Sequence, residues 1–294
     1  MENSANTKKS VFIFFSLLSV AVLFTVKREV CMAGAVRGLS FCIATLIPAV
    51  FPFSVVCKLL VRTADVSRVG IILAGLVCGA PSGAHTCADA YKNGCCDKRT
   101  AEILSAVTNG MTPTFVIGFV GVYCLKSAPS GVVVYIICTL SALLYTFVAI
   151  KCTQPMQRSP QYFSFSPTFA QAVTESVSAV ISLSGFTVFF TVICDFSNAF
   201  LDFLPPPTLS IFFLSSELIT GILQSAPLRA AVSDRLFFSM MCAFTSFSGI
   251  CIHLQVRSAL SRAGLSARPF LIGKCVQSLT SFIISYIFYG IIFG

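Results

Sequence analysis

Glu217 stands where a charge is hard to keep. It lies in residues 212–223, FFLSSELITGIL, with Ser215, Ser216 and Thr220 as its nearest polar neighbours. An ionisable side chain inside apolar text points to function by default, because an unpaired charge in hydrocarbon is expensive. A carboxylate there can coordinate a cation, exchange a proton or bond a substrate. The competing reading is a carboxyl neutralised or paired for structure. His253 and Gln255 follow in residues 248–256, SGICIHLQV, as proton or substrate contacts or as satisfied core groups. His85 sits just past a Gly/Pro interruption, at the expected water edge. Asn109, Thr112, Ser246 and Ser248 are neutral hydrogen-bonding groups at two further interruptions, suited to a substrate or to joining helices. Pro81, Ser82, Gly83 and Gly249 allow close backbone approach and leave amides free, or else form simple kinks.

Other chemistries lack their residues. There is no GxSxG elbow, phosphate-binding Walker loop or HExxH pair, so an enzyme is not expected. The two histidines are far apart, and the 14 cysteines contain no CxxC. Neither a metal nor a cofactor is expected. Most cysteines fall in or beside apolar runs, where a free thiol behaves as a small hydrophobe.

These groups need elements to position them. Apolar residues make up 56% of the chain and charged residues 11%, with a mean hydropathy of +0.88. Soluble domains carry about 25% charged residues. The solvent is therefore largely lipid, and disorder is excluded. The formal charge of +9 sits mostly between apolar runs, where it meets headgroups and not nucleic acid. The first run, residues 11–26, ends at Lys27-Arg28-Glu29 without a small-residue cleavage site. That reads as an uncleaved anchor or first span and not a signal peptide. The basic flanks of the later runs give conflicting orientations.

The later runs are interrupted. Residues 39–60 carry Pro48 and Pro52, and 69–86 carry Gly79-Ala80-Pro81-Ser82-Gly83. Residues 103–125 carry Asn109-Gly110-Met111-Thr112-Pro113, and 130–150 are plain. After a polar linker, 151–167, the layout returns. Residues 173–194 carry Ser182-Leu183-Ser184-Gly185, 208–223 carry Glu217 with Thr220-Gly221, and 236–256 carry 245–249. Residues 270–293 are plain. An offset of 137 residues brings the interruptions into register: Pro48 on Gly185, Gly83 on Thr220, Asn109 on Ser246. Matched interruptions in two halves are a transporter signature, because backbone freed in a membrane must be covered by protein or line a watery cavity. Six interruptions, paired three and three, favour a site over isolated kinks. The expected fold is an all-α polytopic membrane protein of two inverted repeats, with re-entrant hairpins at 39–60 and 173–194 and broken transmembrane helices. Its divisions are 1–37 (anchor), 38–150 (first repeat), 151–167 (linker) and 168–294 (second repeat).

Residues 75–121 (GLVCGAPSGAHTCADAYKNGCCDKRTAEILSAVTNGMTPTFVIGFVG), SELITGI at 216–222 and SFSGICIHLQV at 246–256 carry a resemblance. They resemble the nucleoside-recognition or Gate domain and, more closely, the sporulation integral membrane protein YlbJ family. The 47–53 stretch is similar to that family's P-x-x-F-P-F hairpin. The resemblance spans about 38–290. It departs at the tip Asn109-Gly110-Met111-Thr112 and in the many cysteines. It implies a fold related to concentrative nucleoside transporters, a bacterial cell membrane (mother-cell or forespore) and transport of a small anionic or heteroaromatic solute, dipicolinate-like, in spore formation. The expected substrate contacts are Pro81, Ser82, Gly83, Asn109, Thr112, Ser246, Ser248, Gly249 and Gln255. Coupling to H⁺ or Na⁺, or gating, falls to Glu217, Thr220, His253, His85, Pro48, Ser184 and Gly185. The alternatives are a non-transporting scaffold for a sporulation complex and a nucleoside or ion transporter outside sporulation. Lipid is the expected surrounding partner, and homo-oligomerisation is left open.

Overall fold

The computed structural model describes residues 2–63, 68–92, 94–151, 169–201 and 203–294, which are helical with no strand among them. The expected linker at 151–167 lies, apart from Lys151, outside the described residues. The first part holds α1 (Glu2–Val26), α2 (Arg28–Phe41), a wide-turned segment π1 (Cys42–Leu46) and α3 (Ile47–Thr63). Then come α4 (Arg68–Cys78), α5 (Ser82–Lys92), α6 (Lys98–Thr108), a second wide-turned segment π2 (Phe115–Cys124) and α7 (Ala128–Ile150). The second part holds α8 (Phe169–Phe200), α9 (Pro206–Ser216), α10 (Leu218–Leu223) and α11 (Ala226–Ala231). It closes with α12 (Asp234–Phe247), α13 (Gly249–Ser261) and α14 (Arg268–Phe293).

Local chemistry sets several boundaries. Asp97 caps α6 by accepting from the Arg99 and Thr100 amides at 3.2 and 3.4 Å. Ser127 caps α7, and Ser233 caps α12. Prolines open α9, α11 and α14, where the first turn needs no N–H donor.

Five segments are long and apolar enough to cross a membrane: Arg28–Leu46, Ala128–Ile150, Phe169–Phe200, Asp234–Ser261 and Arg268–Phe293. Their faces invert the pattern of a soluble bundle. On α14 the buried stripe is Gly273, Lys274, Gln277, Ser281 and Ser285, while Leu279, Ile283, Ile287 and Ile291 are exposed. On α7, Ser130, Ser141 and Thr146 turn inward, while Ile136, Leu140 and Phe147 turn outward. The polar stripe meets other helices and the aliphatic stripe meets lipid, so this is an integral membrane protein.

The element order repeats. At the 137-residue offset, α4, α5, α6, π2 and α7 begin within three residues of α9, α10, α12, α13 and α14. α3 ends at Thr63 and α8 at Phe200, in the same register. The packing between the halves is reciprocal: α6 packs on α14 and α12 on α7, while α7 and α14 pack on each other.

The two hairpins are not formed. Phe169–Phe200 is one unbroken helix of 32 residues, about 48 Å long. Ser182-Leu183-Ser184-Gly185 stays inside it. A mid-helix glycine costs about 1 kcal/mol against alanine, less than freeing backbone groups in lipid, which costs several kcal/mol each. In the first half, α2, π1 and α3 follow one another without a turn. The Ile47 amide donates to the Cys42 carbonyl, one residue further back than an α-helix allows. That widened turn falls directly before Pro48, whose ring would press on the preceding turn of a regular helix. Pro52 is carried inside α3.

Candidate functional site

The remaining interruptions are real, and within each half they cross one another. In the first half α4 stops at Cys78 and α5 starts at Ser82, with Gly79, Ala80 and Pro81 between. Opposite, α6 stops at Thr108, and the chain runs non-helically through Asn109 to Thr112. The Ala80 amide donates to the Gly110 carbonyl at 2.9 Å. Asn109 is fully buried and braces the crossing. Its Oδ1 accepts from the Ala84 amide at 3.0 Å, and its Nδ2 donates to the Ser105 carbonyl at 2.7 Å. The approach is so close that a Cβ at Gly83 would overlap the Thr108 carbonyl. Thr112 Oγ1 accepts from the Phe115 amide at 3.2 Å, which starts the next helical segment.

The second crossing uses different residues for the same purpose. Glu217 breaks α9 from α10 in an extended conformation, with φ −146° and ψ 117°. Its Oε1 accepts from the Ile219 amide at 3.1 Å and its Oε2 from the Thr220 amide at 2.7 Å. The carboxylate is thus the N-cap of α10, buried at 5% exposure. Thr220 Oγ1 lies 3.2 Å from Thr191 Oγ1 of α8. Opposite, Ser248 and Gly249 both take left-handed backbone, with φ 72° and 75°. This kink separates α12 from α13 and brings Gly249 against the backbone of Ser216 and Leu218. Ser248 Oγ donates to the Thr245 carbonyl at 3.3 Å.

The two crossings meet at a cavity of about 20 Å³, room for one water molecule. Gly110 and Met111 reach it from the first crossing, and Thr245 and Ser246 from the second. Tyr135, Cys138 and Thr139 of α7 and Lys274 and Gln277 of α14 close its sides. Ser246 Oγ and Ser281 Oγ are hydrogen-bonded at 2.6 Å. Gln277 Nε2 donates to the Ala106 carbonyl at 3.1 Å, tying α14 to α6. Tyr135 donates its hydroxyl to the Leu76 carbonyl at 3.2 Å.

Other expected residues lie elsewhere. His253 Nε2 is 2.8 Å from the Phe247 carbonyl, with the ring between Phe247 and Phe270 at 4.5 and 5.1 Å. Gln255 Nε2 donates to Cys251 Sγ at 3.4 Å. His85 is exposed on α5. Pro48 and Gly185 are exposed on α3 and α8, and the Ser184 carbonyl accepts from Cys42 Sγ at 3.8 Å. None of these lines the cavity. Among the described residues no three His, Cys, Asp or Glu groups gather as a metal would need.

Lys274 and Gln277 are cavity groups that the reading by interruptions passes over, and Thr245, inside the interruption at 245–249, is a third that is not among the expected contacts. Lys274 lies in a plain span, where no Gly or Pro marks it. The available signal is periodicity: Lys274, Gln277, Ser281 and Ser285 recur at helical spacing in apolar text.

No family model matches the chain, and no solved structure does. The chain is similar to the sporulation integral membrane protein YlbJ of Bacillus subtilis (strain 168), 21% identical over 323 aligned positions. The alignment covers 90% of this chain and 79% of that protein, which supports a YlbJ-like relationship across nearly the whole fold.

Proposed function

We propose that this protein carries a small solute across a bacterial membrane by moving its two halves around the paired crossings. The observation that carries this reading is the recurrence of crossed, interrupted helices at the same register in both halves, meeting at a small cavity bordered by Thr139, Thr245, Ser246, Lys274 and Gln277 among apolar side chains. Backbone so interrupted in lipid is tolerated where protein covers it or where it borders a watery path, and its recurrence in both halves favours the second. The similarity to a sporulation integral membrane protein supports spore formation as the setting. The solute is proposed to be of the anionic or heteroaromatic kind, dipicolinate-like, as the resemblance of the sequence motifs implies. Asn109, Glu217, Thr112 and Ser248 hold the crossings in shape. Pro81, Ser82, Gly83 and Gly249 lie at the interruptions, and Ser246 borders the cavity. Rocking of one half on the other along α7 and α14 would alternate access, driven by a proton or Na⁺ gradient.

The test is flux in proteoliposomes. Purified protein is reconstituted and uptake of labelled dipicolinate is compared with uptake of a nucleoside, with and without a proton or Na⁺ gradient. Gradient-dependent dipicolinate uptake supports the proposal. Nucleoside uptake alone moves the solute class. A folded protein that moves neither refutes transport.

A further inference from the structure

The buried charge in the cavity belongs to Lys274. It is 1% exposed and makes no hydrogen bond or ion pair among the described residues. Lysine inside a membrane protein ordinarily pairs with a carboxylate or with backbone carbonyls, because an unpaired ammonium there is costly. The buried acids are engaged elsewhere. Glu217 caps α10, Asp195 pairs with Arg37, and Glu102 Oε1 accepts from the Ser266 amide at 2.7 Å. None of the three lines the cavity.

A second group points the same way. Thr245 Oγ1 is fully enclosed and has no hydrogen-bond partner. It comes from α12, whereas Lys274 comes from α14, and both border the same cavity. An orphan hydroxyl in a dry site costs about 1–3 kcal/mol unless it donates to or accepts from a partner. The free groups at this spot are a charged ammonium, which only donates, and a hydroxyl, which can donate as well as accept. Their common complement is an acceptor with negative charge. The room, about 20 Å³, fits a single-atom ion and excludes an aromatic dicarboxylate.

We propose that Lys274 and Thr245 hold a small inorganic anion of halide size, chloride foremost, at the contact between α12 and α14. The ion neutralises the ammonium and stiffens the contact between α12 and α14, within the second half. The site is independent of the transport reading, because binding needs no flux.

The test is equilibrium binding of ³⁶Cl⁻ to the purified full chain in gluconate buffer. Saturable binding displaced by bromide but not by gluconate is expected. Lys274→Gln should weaken it at least about tenfold, as expected for loss of a charge-assisted contact. Thr245→Val, nearly the same in shape, should weaken it several-fold while eluting and melting like the unsubstituted protein. It therefore decides the matter if Lys274→Gln fails to fold. A folded protein without saturable chloride binding overturns the proposal. So does unchanged affinity in Thr245→Val or in folded Lys274→Gln. Dipicolinate that displaces chloride one for one, and whose own binding is lost in Lys274→Gln, also overturns it by assigning the ammonium to the solute. Absence of flux with chloride binding intact leaves this site standing and refutes only transport.

Discussion

Replacing Glu217 by alanine separates a cap from a mere charge. The side chain satisfies the Ile219 and Thr220 amides, the second and third donors of α10, at 3.1 and 2.7 Å. Both residues are buried, so water cannot take over. An unsatisfied buried donor costs about 1–3 kcal/mol, so two cost roughly 2–6 kcal/mol. For a chain of this size about 2–4 °C of melting temperature goes with each kcal/mol, which predicts a fall of roughly 4–24 °C. Glu217→Asn and Glu217→Ser carry acceptors that suit an N-cap, and should recover at least half of that loss without any charge. The assay is thermal unfolding in detergent followed by the loss of the monodisperse size-exclusion peak. Glu217→Ala melting within about 2 °C of the unsubstituted protein would refute the capping argument. If Glu217→Asn were as unstable as Glu217→Ala, the negative charge and not the hydrogen bonds would be what matters.

Three further outcomes follow from the same geometry. Asn109→Ala removes the brace between the Ala84 amide and the Ser105 carbonyl; it should cost about 1–3 kcal/mol in thermal unfolding and lower folded yield. Gly249→Ala, at φ 75° and with Leu218 N and Ser216 O 3.3 Å from the added carbon, should destabilise by about 1–2 kcal/mol, whereas Ser248→Gly should be tolerated, as paired melting curves would show. Cys95 lies in the loop between α5 and α6, and burial pushes its thiol above the usual range, so its thiolate is scarcer than that of a free cysteine at pH 8. Alkylation by a soluble maleimide should therefore be slow at pH 8, speed up as pH rises further, and become rapid on unfolding, as mass spectrometry of the modified peptide would report.

What the sequence made readable depended on whether a residue type forces the backbone. The Gly79-Ala80-Pro81 and Asn109 to Pro113 interruptions, and those at Glu217 and Ser248-Gly249, follow from residues that favour turns, caps or left-handed backbone. The hairpins did not materialise because Ser-Leu-Ser-Gly permits a break without requiring one, and lipid favours the closed ladder. Pro48 is accommodated by a wider turn before it, which composition does not announce. The role of Asn109 depends on Ala84, and that pairing exists only once α5 and α6 cross. Lys274 escaped because it sits in an unbroken span, where only its facing residues show that it points inward. His253 is unusual in type, and the structure adds what the sequence does not show: it is held by a carbonyl between two rings.

The exchange of partners between the halves has a consequence for how the protein is made. Every residue of α6 from Thr100 to Thr108 is buried, and one of its walls is α14, through Gln277 and the close seat of Gly273 on Ala106. α14 leaves the ribosome well after α6, because chains are synthesised from the N-terminus. During elongation α6 therefore waits with one side bare and its crossing held only by nearby segments. Insertion into the bilayer and completion of the fold are then separate events, and the interval between them is when a membrane chaperone or a quality-control protease would find its target.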